Sequence, residues 1–193
     1  MKIFQMMTVV AAVSFPLASA CAGEAPIYLF LNEDSAETKI EGLNVRLRAE
    51  LTDKDKKERE FTRTPRVWII CSDNGRQIFS IDTADDLDPW PSVADNNDVR
   101  VSAVLKSQTG SFKDLTTQMN ASRVNHLLQI TLDITGRAED VARSWLQGFP
   151  IKITASPGGE LKDLNLVIFP EAKNSSFRAQ AAALIRGCEV LAH

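Results

Sequence analysis

Leu43-Asn44-Val45-Arg46-Leu47-Arg48-Ala49-Glu50-Leu51 alternates apolar and polar residues without a break, the period of a strand with one face buried. Leu128, Ile130, Leu132 and Ile134 repeat the pattern against Gln129, Thr131 and Asp133. Working outward, Val67 to Cys71 and Gln77 to Ile81 flank Ser72-Asp73-Asn74-Gly75, whose Asn-Gly pair suits the positive φ angles of a tight hairpin turn. Ile151 to Thr154 and Leu164 to Phe169 flank Ser156-Pro157-Gly158-Gly159 and predict a second hairpin. Ile27 to Leu31 and Val99 to Leu105 are further strand candidates.

Period two gives way to the helical period twice. In Arg137 to Leu146, Ala138, Val141, Ala142, Trp145 and Leu146 fall on one face, with Thr135 as a candidate cap and Gly148 and Pro150 beyond the end. In Ser176 to Leu191, Phe177, Ala181, Leu184, Cys188 and Leu191 form one stripe. The expectation is an α+β domain: a mostly antiparallel sheet of about eight strands, sandwich-like or curved, with two helices.

Of three cysteines, Cys71 closes the run Val67-Trp68-Ile69-Ile70 and Cys188 lies on the apolar stripe of the last helix. No C-x-x-C spacing or neighbouring histidine supports a redox or metal pair, so a buried disulfide is expected between them. It would clamp the C-terminal helix to a hairpin strand, and closing a loop of this length stabilises by about 4–5 kcal/mol in the chain-entropy model.

The start of the chain has the form of a secretory signal peptide over residues 1–20: Met1-Lys2, an apolar stretch from Ile3 to Leu17, then Ala18-Ser19-Ala20. The apolar stretch is shorter than the roughly 20 residues that span a bilayer. Residues 21–193 then form one exported domain, periplasmic or secreted, where cysteines can oxidise. Cys21 is left as the first mature residue by cleavage after Ala20, removed by cleavage after Ala22, or lipidated to anchor the protein. The residue three places before it is Ala18, where lipidation prefers an aliphatic side chain.

The chain has 22 basic and 25 acidic residues, a net charge of −3. Losing Lys2 with the leader takes 22 to 21 against 25, a net charge of −4. Mild acidity argues against nucleic acid as a partner, because phosphate binding needs clustered Lys and Arg. The charge-dense stretch Asp53 to Arg66 interleaves both signs, as a solvated turn or frayed helix does, with docking on an acidic surface as the alternative. No second apolar run is long enough to anchor the mature chain.

Catalytic chemistry has few parts. The two histidines are His126 and His193, and no nucleophile elbow, P-loop, zinc-protease or EF-hand motif occurs. Asp82, Asp85, Asp86, Asp88, Asp95 and Asp98 cluster between Gln77 and Val99 without Lys or Arg, in a spacing that matches no calcium loop. Within this stretch Pro89 and Pro91 restrict the backbone around Trp90, presenting a large aromatic at low entropic cost. Trp90, Pro89 and Pro91 are therefore the candidate partner-binding residues, against the alternative that Trp90 folds back and staples its loop. Asn120-Ala121-Ser122 and Asn174-Ser175-Ser176 fit the glycosylation acceptor pattern, which matters only in a eukaryotic source.

The segment Thr64-Pro65-Arg66-Val67-Trp68-Ile69-Ile70-Cys71, its turn and second strand, and the later run from Phe169 through Phe177 to Cys188 together resemble periplasmic accessory proteins associated with type VI secretion. The likeness covers Pro65 to Cys188. It departs in Val99 to Asn125, where that family's tryptophan and serine-aspartate element have no counterpart. The resemblance implies a small, exported, non-enzymatic domain. The expected function is a non-catalytic accessory module that binds an envelope protein or cell-wall component, with no cofactor, no metal and no catalytic residue. Two rivals are a small metal-assisted hydrolase using the acidic loop 82–98 and a carrier for an apolar ligand.

Overall fold

A computed structural model describes residues 26–53, 64–83, 90, 99–107, 113–124, 127–157, 161–170 and 175–191. The strands are β1 (Ile27–Glu41), β2 (Asn44–Asp53), β3 (Arg66–Ser72), β4 (Gln77–Asp82), β5 (Val99–Ser107), β6 (Leu115–Val124) and β7 (Leu127–Asp133). Helix α1 (Ala138–Leu146), strands β8 (Ile151–Ala155) and β9 (Leu164–Phe169), and helix α2 (Ser175–Leu191) complete the order.

The strands form a closed barrel in the order β1-β2-β3-β4-β7-β6-β5-β8-β9. This corrects the expectation of an α+β domain with a sandwich-like or curved sheet: the described chain is mostly β, a closed barrel with two helices. Closure needs β6, which pairs with both β7 and β5, and its inward positions Thr117, Met119 and Ala121 give too little apolar contrast to read as a strand. The remaining seam joins β1 to β9, the one parallel pair among the described strands, through Ile27 opposite Leu166 and Phe30 opposite Phe169. The other pairs are antiparallel, and closure leaves no exposed edge among the described strands for pairing with another chain.

Alternation fills the interior. Val45, Leu47, Ala49 and Leu51 of β2 point inward with Val67, Ile69 and Cys71 of β3, and with Leu128, Ile130 and Leu132 of β7. Leu105, Met119 and Ile153 meet them from the far wall, so the described interior is a packed core rather than a pore.

Both helices lie at the end of the barrel where β7 and β9 stop and β8 starts. Val141, Ala142 and Trp145 of α1 and Phe177, Ala181 and Leu184 of α2 join the core there. Trp145 packs 5.8 Å from Phe79 and 6.5 Å from Phe177, ring centre to ring centre. The start of α1 corrects the expected cap. Gln77 Oε1, from β4, accepts from the backbone N–H groups of Arg137 and Ala138, each at 3.0 Å, while Thr135 Oγ1 accepts from Gln77 N at 3.1 Å. Gln77 thus shares the Arg137 N–H with the Ile134 carbonyl and satisfies the Ala138 N–H from a neighbouring strand, tying the start of the helix to the barrel.

The expected disulfide is present: Cys71 and Cys188 are joined across 117 residues with their Cα atoms 5.4 Å apart. It pins α2 to the end of β3, and it fits an oxidising, exported environment. No helix among the described residues is long and apolar enough to cross a membrane.

Candidate partner-binding face

The sequence candidate Trp90 lies at the barrel end opposite the helices. It is 1% exposed, and its Nε1 donates to the carbonyl of Lys162, just before β9, at 2.7 Å. Arg123, near the end of β6, donates to the Trp90 carbonyl at 3.2 Å. Of the two readings of Trp90, the structure supports the fold-back: the indole staples its loop to the barrel and is not offered to a partner. Pro89, Pro91, Asp85, Asp86, Asp88, Asp95, Asp98, Cys21, His126, His193, Asn174 and the leader lie outside the described residues, as does most of the charge-dense stretch after Asp53. Asn120 is on β6, where its Oδ1 accepts from Arg100 Nε at 3.3 Å.

A different tryptophan stands on the outer wall. In β3 the side chains of Val67, Ile69 and Cys71 turn inward, so Trp68 and Ile70 turn outward. Trp68 lies opposite Arg48 of β2 and Ser80 of β4. The guanidinium carbons of Arg46 and Arg48 sit 5.1 and 5.4 Å from the centre of the half-buried Trp68 ring. A guanidinium over an indole is held by the ring quadrupole, so both arginines are pre-ordered.

The ring edge is fixed as well. Trp68 Nε1 donates to Asp82 Oδ2 at 3.1 Å, and Gln129 Nε2 of β7 donates to Asp82 Oδ1 at 3.0 Å. Asp82, the one described member of the acidic cluster, thus serves as an orienting acceptor. Glu50 lies 3.7 Å from Arg48 and 4.0 Å from Arg66, and Arg46 pairs with Glu41. These are partly exposed pairs, each contributing about 0–1 kcal/mol. The result is a face of the barrel wall on β2, β3, β4 and β7 carrying one indole, three guanidinium groups and planar acceptors with their charges balanced.

The sequence held the signal for this face. Val67-Trp68-Ile69-Ile70-Cys71 reads as one apolar run, which hides its inside-outside parity. Parity follows once Cys71 is placed inward by its disulfide, and the arginines of β2 then fall on the same side as Trp68.

At the opposite barrel end, Ile27, Leu29, Pro65, Ile81, Thr83, Ile130, Leu164 and Leu166 line an apolar cavity of about 10 Å³. That is room for about one water molecule, against the roughly 300 Å³ or more of a small-molecule site. Among the described residues no three His, Cys, Asp or Glu side chains are grouped to hold a metal ion.

The fold and its outer face define a closed, helix-capped barrel with a tryptophan-arginine surface. No known protein family, curated protein or solved structure matches the chain.

Proposed function

We propose that this chain is a non-catalytic, exported module that binds an envelope protein or a cell-wall component through the Trp68 face. The observation that carries the reading is the pre-ordered Arg46-Trp68-Arg48 cluster on a rigid sheet. Trp and Arg dominate binding energy at interfaces, and side chains already fixed lose little entropy on contact. Flat aromatic and planar polar groups also suit a glycan, whose hydroxyls need bidentate partners beside an apolar face. Export through the leader supports an envelope setting, in keeping with the resemblance to accessory proteins of type VI secretion.

The test is co-sedimentation of the mature protein with purified peptidoglycan sacculi and capture on immobilised envelope proteins, each run with wild type and Trp68→Ala. The reading expects retention by one of the two, reduced at least tenfold in the variant. Equal retention of both proteins, or none of either, contradicts it.

A further inference from the structure

Resting on the reading of Trp68 as a contact face, we infer that its partner is a glycan: an extended, uncharged polysaccharide chain lying across the strands from Trp68 toward β6. The strand register sets out a polar band beside the indole. Trp68 of β3, Ser80 of β4, Thr131 of β7, Asn120 of β6 and Arg100 of β5 stand directly opposite one another in turn. The neighbouring row runs Arg66, Asp82, Gln129 and Ser122. Both rows face outward, because Val67, Phe79, Ile130, Ala121 and Val101 beside them are buried in the core. Apart from the indole, the two rows hold no hydrocarbon side chain.

The band offers donors and acceptors at defined places. Asn120 Oδ1 accepts from Arg100 Nε at 3.3 Å, which leaves the Asn120 amide N–H groups to donate. Gln129 Nε2 donates to Asp82 Oδ1 at 3.0 Å, which leaves the Gln129 carbonyl oxygen to accept. Thr131 and Ser122 supply hydroxyls that do either. Ser80 is 5% exposed and its Oγ lies 3.5 Å from Thr131 Oγ1, so the wall dips between Trp68 and Thr131. Sugar hydroxyls need partners of both kinds, and the C–H face of a sugar packs against an aromatic ring. From β3 to β6 the band crosses three strand spacings, roughly 14 Å, which is room for about three sugar units.

Charge and composition select this occupant. On and around the band Arg46, Arg48, Arg66 and Arg100 are matched by Glu41, Glu50, Asp82 and Asp133, and Arg76 and Asp73 on the β3–β4 turn add one of each sign. A balanced face draws in neither an anionic polymer nor an acidic lipid surface. The core of a protein–protein contact is apolar and poor in Ser, unlike these two rows. A protein partner would instead centre on the next row toward the helices, where Ile70 stands opposite Ile78.

Isothermal titration of the disulfide-intact mature protein with chitohexaose and with cellohexaose, two uncharged linear glycans, tests this. Binding of at least one is expected with a millimolar or tighter Kd, raised at least tenfold by Trp68→Ala and at least threefold by Asn120→Ala and by Gln129→Leu, while thermal melts of the variants stay two-state. Thr154→Ala, on the outer wall of β8, leaves Kd unchanged. No binding of either glycan overturns the inference, as does binding that Asn120→Ala and Gln129→Leu both leave unchanged. Capture of an envelope protein that Trp68→Ala and Ile78→Ser weaken, without glycan binding, also overturns it while sustaining Trp68 as a contact residue. Glycan and protein retention that Trp68→Ala leaves untouched defeats the Trp68 reading itself.

Discussion

Trp90 Nε1 donates to the Lys162 carbonyl at 2.7 Å, joining the chain after β4 to the chain entering β9 at the barrel end opposite α1 and α2. Among the described residues, α1, α2 and the disulfide lie at one end of the barrel and the buried Trp90 indole at the other. Trp90→Ala should cost about 3–5 kcal/mol, the usual loss for a buried large aromatic. Trp90→Phe keeps most of the packing and should cost about 1–2 kcal/mol through the lost hydrogen bond. Urea unfolding of the two variants checks the order.

Gly187 carries the close approach of α2 to β2. Gly→Ala within a helix ordinarily gains about 1 kcal/mol, yet here the new Cβ would lie 2.7 Å from two Val45 methyls. Overlap should win, and Gly187→Ala is expected to destabilise by about 1–3 kcal/mol. Adding Val45→Ala removes the clash, so the double variant should lose less than the sum of the two single changes. A thermal-melt double-mutant cycle reads this directly.

Replacing both Cys71 and Cys188 with Ala opens a loop of 117 residues. The expected loss is about 2–5 kcal/mol, seen as a lower urea midpoint, and reduction of the wild type should shift the midpoint in the same direction. Equal midpoints for oxidised and reduced protein would show that the clamp contributes nothing.

Asp133, at the end of β7, has its carboxyl held below the usual carboxylate range. The largest cause is the hydrogen bond from the Thr135 side chain, followed by the Thr135 backbone N–H; burial opposes them, and the charge of Arg76 adds a lesser lowering. A pKa lower in the folded state means stabilisation that is complete above about pH 4, the unfolded value. It is lost as the pH falls through the lower folded value. The stability gap between wild type and Asp133→Asn should therefore be constant at neutral pH and close on acidification below about pH 4. Urea midpoints between pH 7 and pH 2.5 measure it.

Strand periodicity located β2, β3, β4, β7, β8 and β9, because each sets large apolar residues against polar ones or brackets them with turn residues. The disulfide was legible for the same reason, Cys71 and Cys188 both falling on apolar stripes. The barrel was not legible. Closure depends on β6, whose inward Thr117, Met119 and Ala121 resemble a polar loop, and on the parallel β1–β9 seam, which joins segments at opposite ends of the chain. The Trp68 face drew no attention in the sequence because of a general rule, that two flanking prolines present an aromatic outward. At Trp90 burial of the indole and its bond to the Lys162 carbonyl override it, while Trp68 is turned outward by strand parity alone.

The central claim is that the Trp68 face meets a partner. Site-specific photocrosslinking in the native envelope tests it, with p-benzoylphenylalanine placed at Arg48 or Gln129 on the face and at Thr154 or Gln118 on other outer walls. The account predicts discrete adducts from Arg48→p-benzoylphenylalanine and Gln129→p-benzoylphenylalanine that disappear with Trp68→Ala, and none from Thr154 or Gln118. Adducts of equal yield from all four positions, or only from Thr154 and Gln118, would contradict it.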